Sequence, residues 1–267
     1  MIISDLIILG RACPEPLKDG RVTICLAGWS EQHGFIRLYP TRYDMKWRRW
    51  DIVRVEVEEN ERDNRAESWK IAGSRNDWDN LANKVEVIGH IKKPAQRHNL
   101  VAQLVDGCVN VINEQKRSLG IVQPTEISEY YWANNPRHGS YFQLGLPLFT
   151  DFDKVKVKRD FPWEPRVTYR CSNCQIQTQH DQQVLEWGFY EWLRKNPEAK
   201  EQVWENAGFM NPNSELYFLV GNQFAHRTSF MIISVLRVPK GPTTSSLFPV
   251  KKYDEIRMKR LLDSMDR

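Results

Sequence analysis

Arg21-Val-Thr-Ile-Cys-Leu-Ala-Gly28, followed by Phe35-Ile-Arg-Leu-Tyr-Pro40, is the stretch on which the fold turns. Each half is an apolar run closed by a residue that stops a strand, Gly28 in the first and Pro40 in the second. On the N-terminal side, residues 2–8 form another apolar run. On the C-terminal side, residues 51–58 alternate Ile52/Val53, Val55 and Val57 with charge. Alternation of period two sends one face of a strand to a core and the other to water. Four such runs by residue 58, with turn signals between them, predict a small barrel or sandwich rather than a βαβ unit.

Further along, residues 84–90, 118–122 and 130–132 read as β, and the stretch around 100–105 has no clear type. Residues 134–148 carry Asn-Asn-Pro, Gly139, Gly145 and Pro147 and read as a loop. Beyond them the pattern becomes mixed. Residues 155–158 and 166–170 look like strands. Residues 181–195 look like a helix, because Val184, Leu185, Phe189, Trp192 and Leu193 recur at helical spacing. A second helix is expected over 198–206, then two β runs at 216–220 and 230–236 joined by a hairpin-like turn, then a charged helix near 253–265. The fold class is therefore α+β. The expected division is a β-rich unit at 1–135 holding one or two barrels, a linker at 136–150, an α+β unit at 151–240, and a linker with a terminal helix at 241–267.

A chain of 267 residues with 41% hydrophobic and 27% charged side chains has the composition of a globular protein with a substantial core. Residues 1–9 are too short an apolar run to cross a membrane and lack a basic leader and a cleavage site. Five cysteines, two of them in a C-x-x-C, favour a reducing compartment over a disulfide framework. A cytoplasmic protein without membrane contact is expected. The net charge of +4 excludes a bulk polycation, so any nucleic-acid contact has to be local. Ten tryptophans imply a rich core, stacking surfaces, or both.

Cys171-Ser-Asn-Cys174, with His180 six residues on, is the most specific local signal. Two thiolates on one knuckle and a nearby imidazole suit a tetrahedral metal, zinc by preference. Cys171, Cys174 and His180 are the expected ligands. The fourth is open among Cys13, Cys25, Cys108, His138, His226 and a carboxylate. The competing reading is two reduced cysteines closing a turn.

Basic and aromatic side chains interleave from Gly34 to Trp50. Arginines meet phosphates and aromatic faces stack on bases, the combination used by single-stranded nucleic-acid surfaces. The candidate binding residues are Arg37, Tyr39, Arg42, Tyr43, Trp47, Arg48 and Arg49. The alternative is that the aromatics are core and Arg48 and Arg49 solvate a turn. Two further segments, residues 63–70 and 220–227, mix charge with aromatics and read as connections that can double as binding loops. No phosphate-binding glycine loop, nucleophile elbow or H-E-x-x-H motif occurs.

Gly20-Arg21-Val-Thr-Ile-Cys25-Leu-Ala-Gly28 and Phe35-Ile-Arg37-Leu-Tyr39-Pro40 together resemble the opening of the dual OB-containing domain family of uncharacterised prokaryotic proteins. Tyr169-Arg-Cys171, Cys174, His180-Asp181, Glu186-Trp187 and Tyr217-Phe-Leu-Val-Gly221-Asn222 resemble a C-terminal region associated with such proteins. The resemblance implies two tandem OB-like barrels and nucleic-acid contact, and it implies no reaction.

The leading expectation is a nucleic-acid-binding protein that prefers single-stranded DNA or RNA, with an OB-like platform and a structural zinc site. Two other readings compete with it. One is a metal-dependent nuclease or nucleotide-processing hydrolase. The other is a protein-interaction subunit of a larger prokaryotic complex, anchored by exposed tryptophans.

Overall fold

The computed structural model describes residues 1–17, 19–73, 76–140, 154–174 and 179–240. The chain is mostly β with a few helices, consistent with α+β. It begins with seven strands: β1 (Ile2–Arg11), β2 (Glu15–Pro16), β3 (Val22–Ser30), β4 (Gly34–Arg42), β5 (Asp51–Glu59), β6 (Ser68–Ile71) and β7 (Val85–His90). Five of them close a barrel in the order β1-β3-β4-β6-β5, sealed by antiparallel pairing of β5 with β1. All neighbours in it are antiparallel except β4 and β6, which run parallel. Closure leaves no unpaired sheet edge among these strands. The alternation legible in the sequence fills the lumen with Ile3, Leu6, Ile8, Leu26, Ile36, Leu38, Val53, Val55 and Val57. Met45, Trp47, Trp78 and Leu81 plug this core.

Helix α1 (Pro94–Gln103) and short strand β8 (Val105–Asp106) lead into α2 (Val109–Glu114), β9 (Leu119–Val122) and β10 (Pro124–Asn134). Then come β11 (Trp163–Cys171), β12 (His180–Gln183), α3 (Trp187–Lys195), α4 (Gln202–Ala207), β13 (Ser214–Asn222) and β14 (Phe230–Pro239). These strands form two sheets, β10-β11-β12 and β14-β13-β9-β8. Residues 119–134, read from sequence with the N-terminal β segment, thus pair with strands of the C-terminal half. Between the two sheets and helices α2, α3 and α4 lies an aromatic core containing Phe161, Tyr169, Phe189, Tyr190, Trp204 and Phe218.

Several local expectations change. Residues 180–183 are strand rather than the start of a helix, because His180 and Asp181 pair with Tyr169 and Thr168 of β11 and Asp181 binds Arg166 across the ladder. Helix α3 begins only at Trp187 and the next helix at Gln202. Residues 155–157 form no strand, and a 3-10 turn follows at Lys158–Asp160. The expected terminal helix at 253–265 and most of the linker at 136–150 lie outside the described residues. No helix among the described residues is long and apolar enough to cross a membrane.

A third core joins the two halves. Ala27, Trp29 and Phe35 on the outside of the barrel pack with Leu119, Ile121, Tyr217, Leu219 and Ile233 of the second sheet. At this seam Arg37 is only 1% exposed. Its guanidinium donates to Ser118 Oγ and to the Ser118 carbonyl, both at 2.9 Å. Ser118 in turn donates its Oγ–H and its backbone N–H to the buried carboxylate of Glu67, at 2.8 and 3.0 Å. Removing one member of such a network leaves a buried charge without its complement. Arg37→Met is therefore expected to cost about 3–5 kcal/mol in urea unfolding. The Arg37→Met/Glu67→Gln double variant should recover part of that loss, since the two charges are coupled.

Candidate metal centre and candidate nucleic-acid surface

The C-x-x-C knuckle ends β11 and folds back so that the Cys171 N–H donates to Cys174 Sγ at 3.1 Å. Strand β12 then brings His180 alongside it through pairing with Tyr169. The structure adds Cys108, which immediately precedes α2. Cys108 Sγ lies 3.5 Å from Cys174 Sγ and 3.2 Å from His180 Nε2, and Cys174 Sγ lies 3.1 Å from the same nitrogen. The four donor atoms of Cys108, Cys171, Cys174 and His180 all lie within 4.8 Å of one another. A tetrahedral ion with sulfur ligands at ~2.3 Å and nitrogen at ~2.0 Å sets its donors roughly 3.5–3.8 Å apart. The cluster needs only small adjustments to reach that geometry, and the chemistry of three sulfurs and an imidazole fits a soft or borderline cation.

Local packing explains why Cys108 meets the knuckle. The Asn173 N–H and the Ser172 hydroxyl both donate to the Gly107 carbonyl. A Cβ on Gly107 would stand 2.3 Å from the Asn173 amide, so the close approach requires glycine or displacement of that side chain. Burial pushes the Cys171 thiol well up from the ordinary range, reinforced by Cys108 and Cys174, and raises the Cys108 thiol in the same direction. Burial also lowers His180, which keeps its imidazole neutral and able to ligate. A bound dication reverses the thiol bias by stabilising thiolate.

The basic-aromatic strip does not assemble as one surface. Arg37 is enclosed at the seam, and Trp47, 2% exposed, fills the barrel. These two are corrected from ligand contacts to interior residues, because the second sheet and the barrel lumen claim them. Arg42 is bound to Asp44 and Asp79. Arg49 donates to the Val235 carbonyl and to Glu186. Tyr39 and Tyr43 are half-buried, and burial pushes the Tyr39 hydroxyl up to about 12. Of the seven, Arg48 is the exposed one.

A different surface combines the two connections that the sequence also offers as binding loops. The loop at 60–67, between β5 and β6, meets the loop between β13 and β14 through a hydrogen bond from Arg227 to Asn64 Oδ1. Between them Phe224 stands 51% exposed. The guanidinium carbons of Arg65 and Arg227 lie 5.9 and 5.1 Å from its ring centre. Arg62 and His226 are exposed on the same two loops. The signal was present in sequence as Arg62, Arg65 and Phe224-Ala-His226-Arg227, but their proximity depends on the seam.

Among solved structures the chain is similar to a murine DNA-binding protein bound to double-stranded DNA, at 8% identity and a TM-score of 0.30 over 92% of this chain and 98% of that chain. A score that low does not establish a common fold. The sequence has no match among curated proteins. Residues 3–103 match a domain of unknown function, DUF8758, and residues 103–252 match a second, DUF8757, so the two adjoin and cover nearly all of the chain. With its larger part so matched, the chain belongs to the DUF8757 family of domains of unknown function.

Proposed function

We propose that this is a nucleic-acid-binding protein that prefers single strands, built on an OB-like barrel and locked by a structural zinc ion. The strand order of the barrel, with its parallel β4–β6 pair, supports the OB-like reading. We take the barrel with α1 as one unit and the two sheets as the other, meeting where the two matched domains meet.

The observation that carries the proposal is the exposed Phe224 held between Arg65 and Arg227. A half-exposed aromatic ring offers an open face on which a base can stack. Flanking guanidiniums select an anionic partner, and a base with its phosphate satisfies both demands. Paired bases in a duplex cannot reach such a ring, which favours single strands. The loop at 60–67 corresponds to one of the loops through which barrels of this type meet oligonucleotides. Four protein donors fill a tetrahedral shell, which supports a structural rather than a hydrolytic ion at Cys108, Cys171, Cys174 and His180.

Fluorescence anisotropy with single-stranded oligonucleotides at low salt is expected to show binding that weakens steeply as salt is raised. Phe224→Ala should weaken it by about 1–3 kcal/mol, the usual worth of one base stacked on an aromatic ring. Arg227→Ala should flatten the salt dependence by about one counterion. Absence of binding to every oligonucleotide, or wild-type binding by both variants, overturns the reading.

For the metal, elemental analysis is expected to give one zinc per chain in the wild type and much less in Cys108→Ala. Chelation should lower the melting temperature of the wild type by ~10 °C or more, if the ion contributes several kcal/mol. A metal-free wild type whose melting ignores added zinc would defeat this part.

A further inference from the structure

A second polar feature lies away from the Phe224 surface and the Cys/His cluster, where β1 of the barrel passes the start of α3. A cavity of about 340 Å³ opens there, lined among others by Arg11, Arg49, Glu186, Trp187, Gly188 and Glu191. Its volume is at the lower end of the range for small-molecule sites.

The charges around it do not balance. Glu186 is fully engaged: Oε1 accepts from Arg49 at 2.5 Å, and Oε2 accepts from the Val235 N–H at 2.7 Å and the Ser234 hydroxyl at 3.2 Å. Glu191 is matched by Arg194, with contacts of 3.0 and 2.9 Å. Arg11 is then the cation of the cavity without a hydrogen-bonded acid, although Glu186 and Asp51 act on it through space. Its guanidinium carbon sits 5.1 Å from the centre of the Trp187 ring, and among the described residues its side chain donates no hydrogen bond. A cation–π contact leaves the in-plane N–H groups of the fork unsatisfied. Burial and the neighbouring Arg49 both work against the charge of Arg11 and hold its pKa below the ordinary arginine range. Position 188, also on the cavity wall, is glycine and adds no side chain there.

We propose that this cavity is a phosphate site, with Arg11 as its principal ligand and Arg49 as its second positive wall. A planar fork with several free donors matches the oxygens of a phosphate, and an anion removes the mutual repulsion of the two guanidiniums. Trp187 supplies a wall that holds the fork in place. The phosphate is either free or carried by a mononucleotide, and both fit the chemistry. The site is separate from the Phe224 surface and from the Cys/His cluster, so it stands whether or not the protein binds nucleic acid strands.

Isothermal titration of the full chain tests it, with inorganic phosphate and then adenosine monophosphate as probes, for the wild type and for Arg11→Gln. The wild type is expected to bind phosphate, and Arg11→Gln to bind it at least about tenfold more weakly with an unchanged circular dichroism spectrum. Tighter binding of the nucleotide than of phosphate identifies a nucleotide as the ligand, and equal binding identifies free phosphate. If Arg11→Gln does not fold, Arg11→Lys, which keeps the charge and loses the fork, should bind phosphate more weakly than the wild type. No heat from the wild type at millimolar phosphate, or equal affinity in the wild type and the folded variant, overturns the proposal.

Discussion

The outer face of β3 and β4 is apolar at Ala27, Trp29 and Phe35 and carries a cation at Arg37, and the rest of the protein is arranged to cover that combination. Burying the apolar residues is favourable at roughly 25 cal/mol per Å² removed from water. Burying the guanidinium is not, unless its donors find partners and its charge a complement. The second sheet meets both demands. Leu119, Ile121 and Leu219 cover the apolar part, while Ser118 receives the guanidinium and relays to Glu67. The network runs on through Asp63, which binds Arg65 and Ser68, to the Asn222 carbonyl, which accepts from Arg65 at 2.7 Å. Because these bonds are directional and the apolar contacts are not, the network sets how β9 and β13 sit on the barrel.

That docking has a functional consequence. The outer face of β3 and β4 is here an internal interface. At the rim the loops at 60–67 and 223–229 emerge beside the same network. Phe224 is presented there because Arg65 is anchored behind it on Asp63 and the Asn222 carbonyl. The seam thus withdraws one surface and builds another.

This also explains which parts of the structure were legible in the sequence. Strands β1, β3, β4 and β5 follow from period-two alternation, a local property. Whether Arg37 faces a ligand or a second sheet is decided by Ser118, 81 positions away, and no local pattern carries that information. The helix expected from 181 fails for a related reason. Val184, Leu185 and Phe189 have helical spacing, but pairing of His180 with Tyr169 and of Gln183 with Arg166 holds the first residues extended. The knuckle announces Cys171 and Cys174 through spacing and His180 through nearness. Cys108 had no spacing signal, and it joins them because the Gly107 carbonyl accepts from Ser172 and Asn173.

Charge is the property for which the bulk count says least. Among the described residues four arginines are matched by an acid two residues away: Arg21 with Asp19, Arg42 with Asp44, Arg65 with Asp63 and Arg166 with Glu164. Glu164 and Arg166 share strand β11, where side chains two apart fall on the same side, and the other three pairs meet across short turns or loops. Hydrogen bonds from Arg21 and Arg42 hold Asp19 and Asp44 below the usual carboxylate range. Locally matched arginines contribute little field at a distance, however many of them a segment contains. The informative cations are those without an acid two residues away. Arg37 is one, and the fold encloses it. Arg227 is another, and the fold sets it against Phe224 at the rim. Arg11 is a third, held against Trp187 with a cavity in front of it. A net charge of +4 is therefore compatible with specific anion recognition, because Arg227 and Arg11 lie where no acid two residues away matches them.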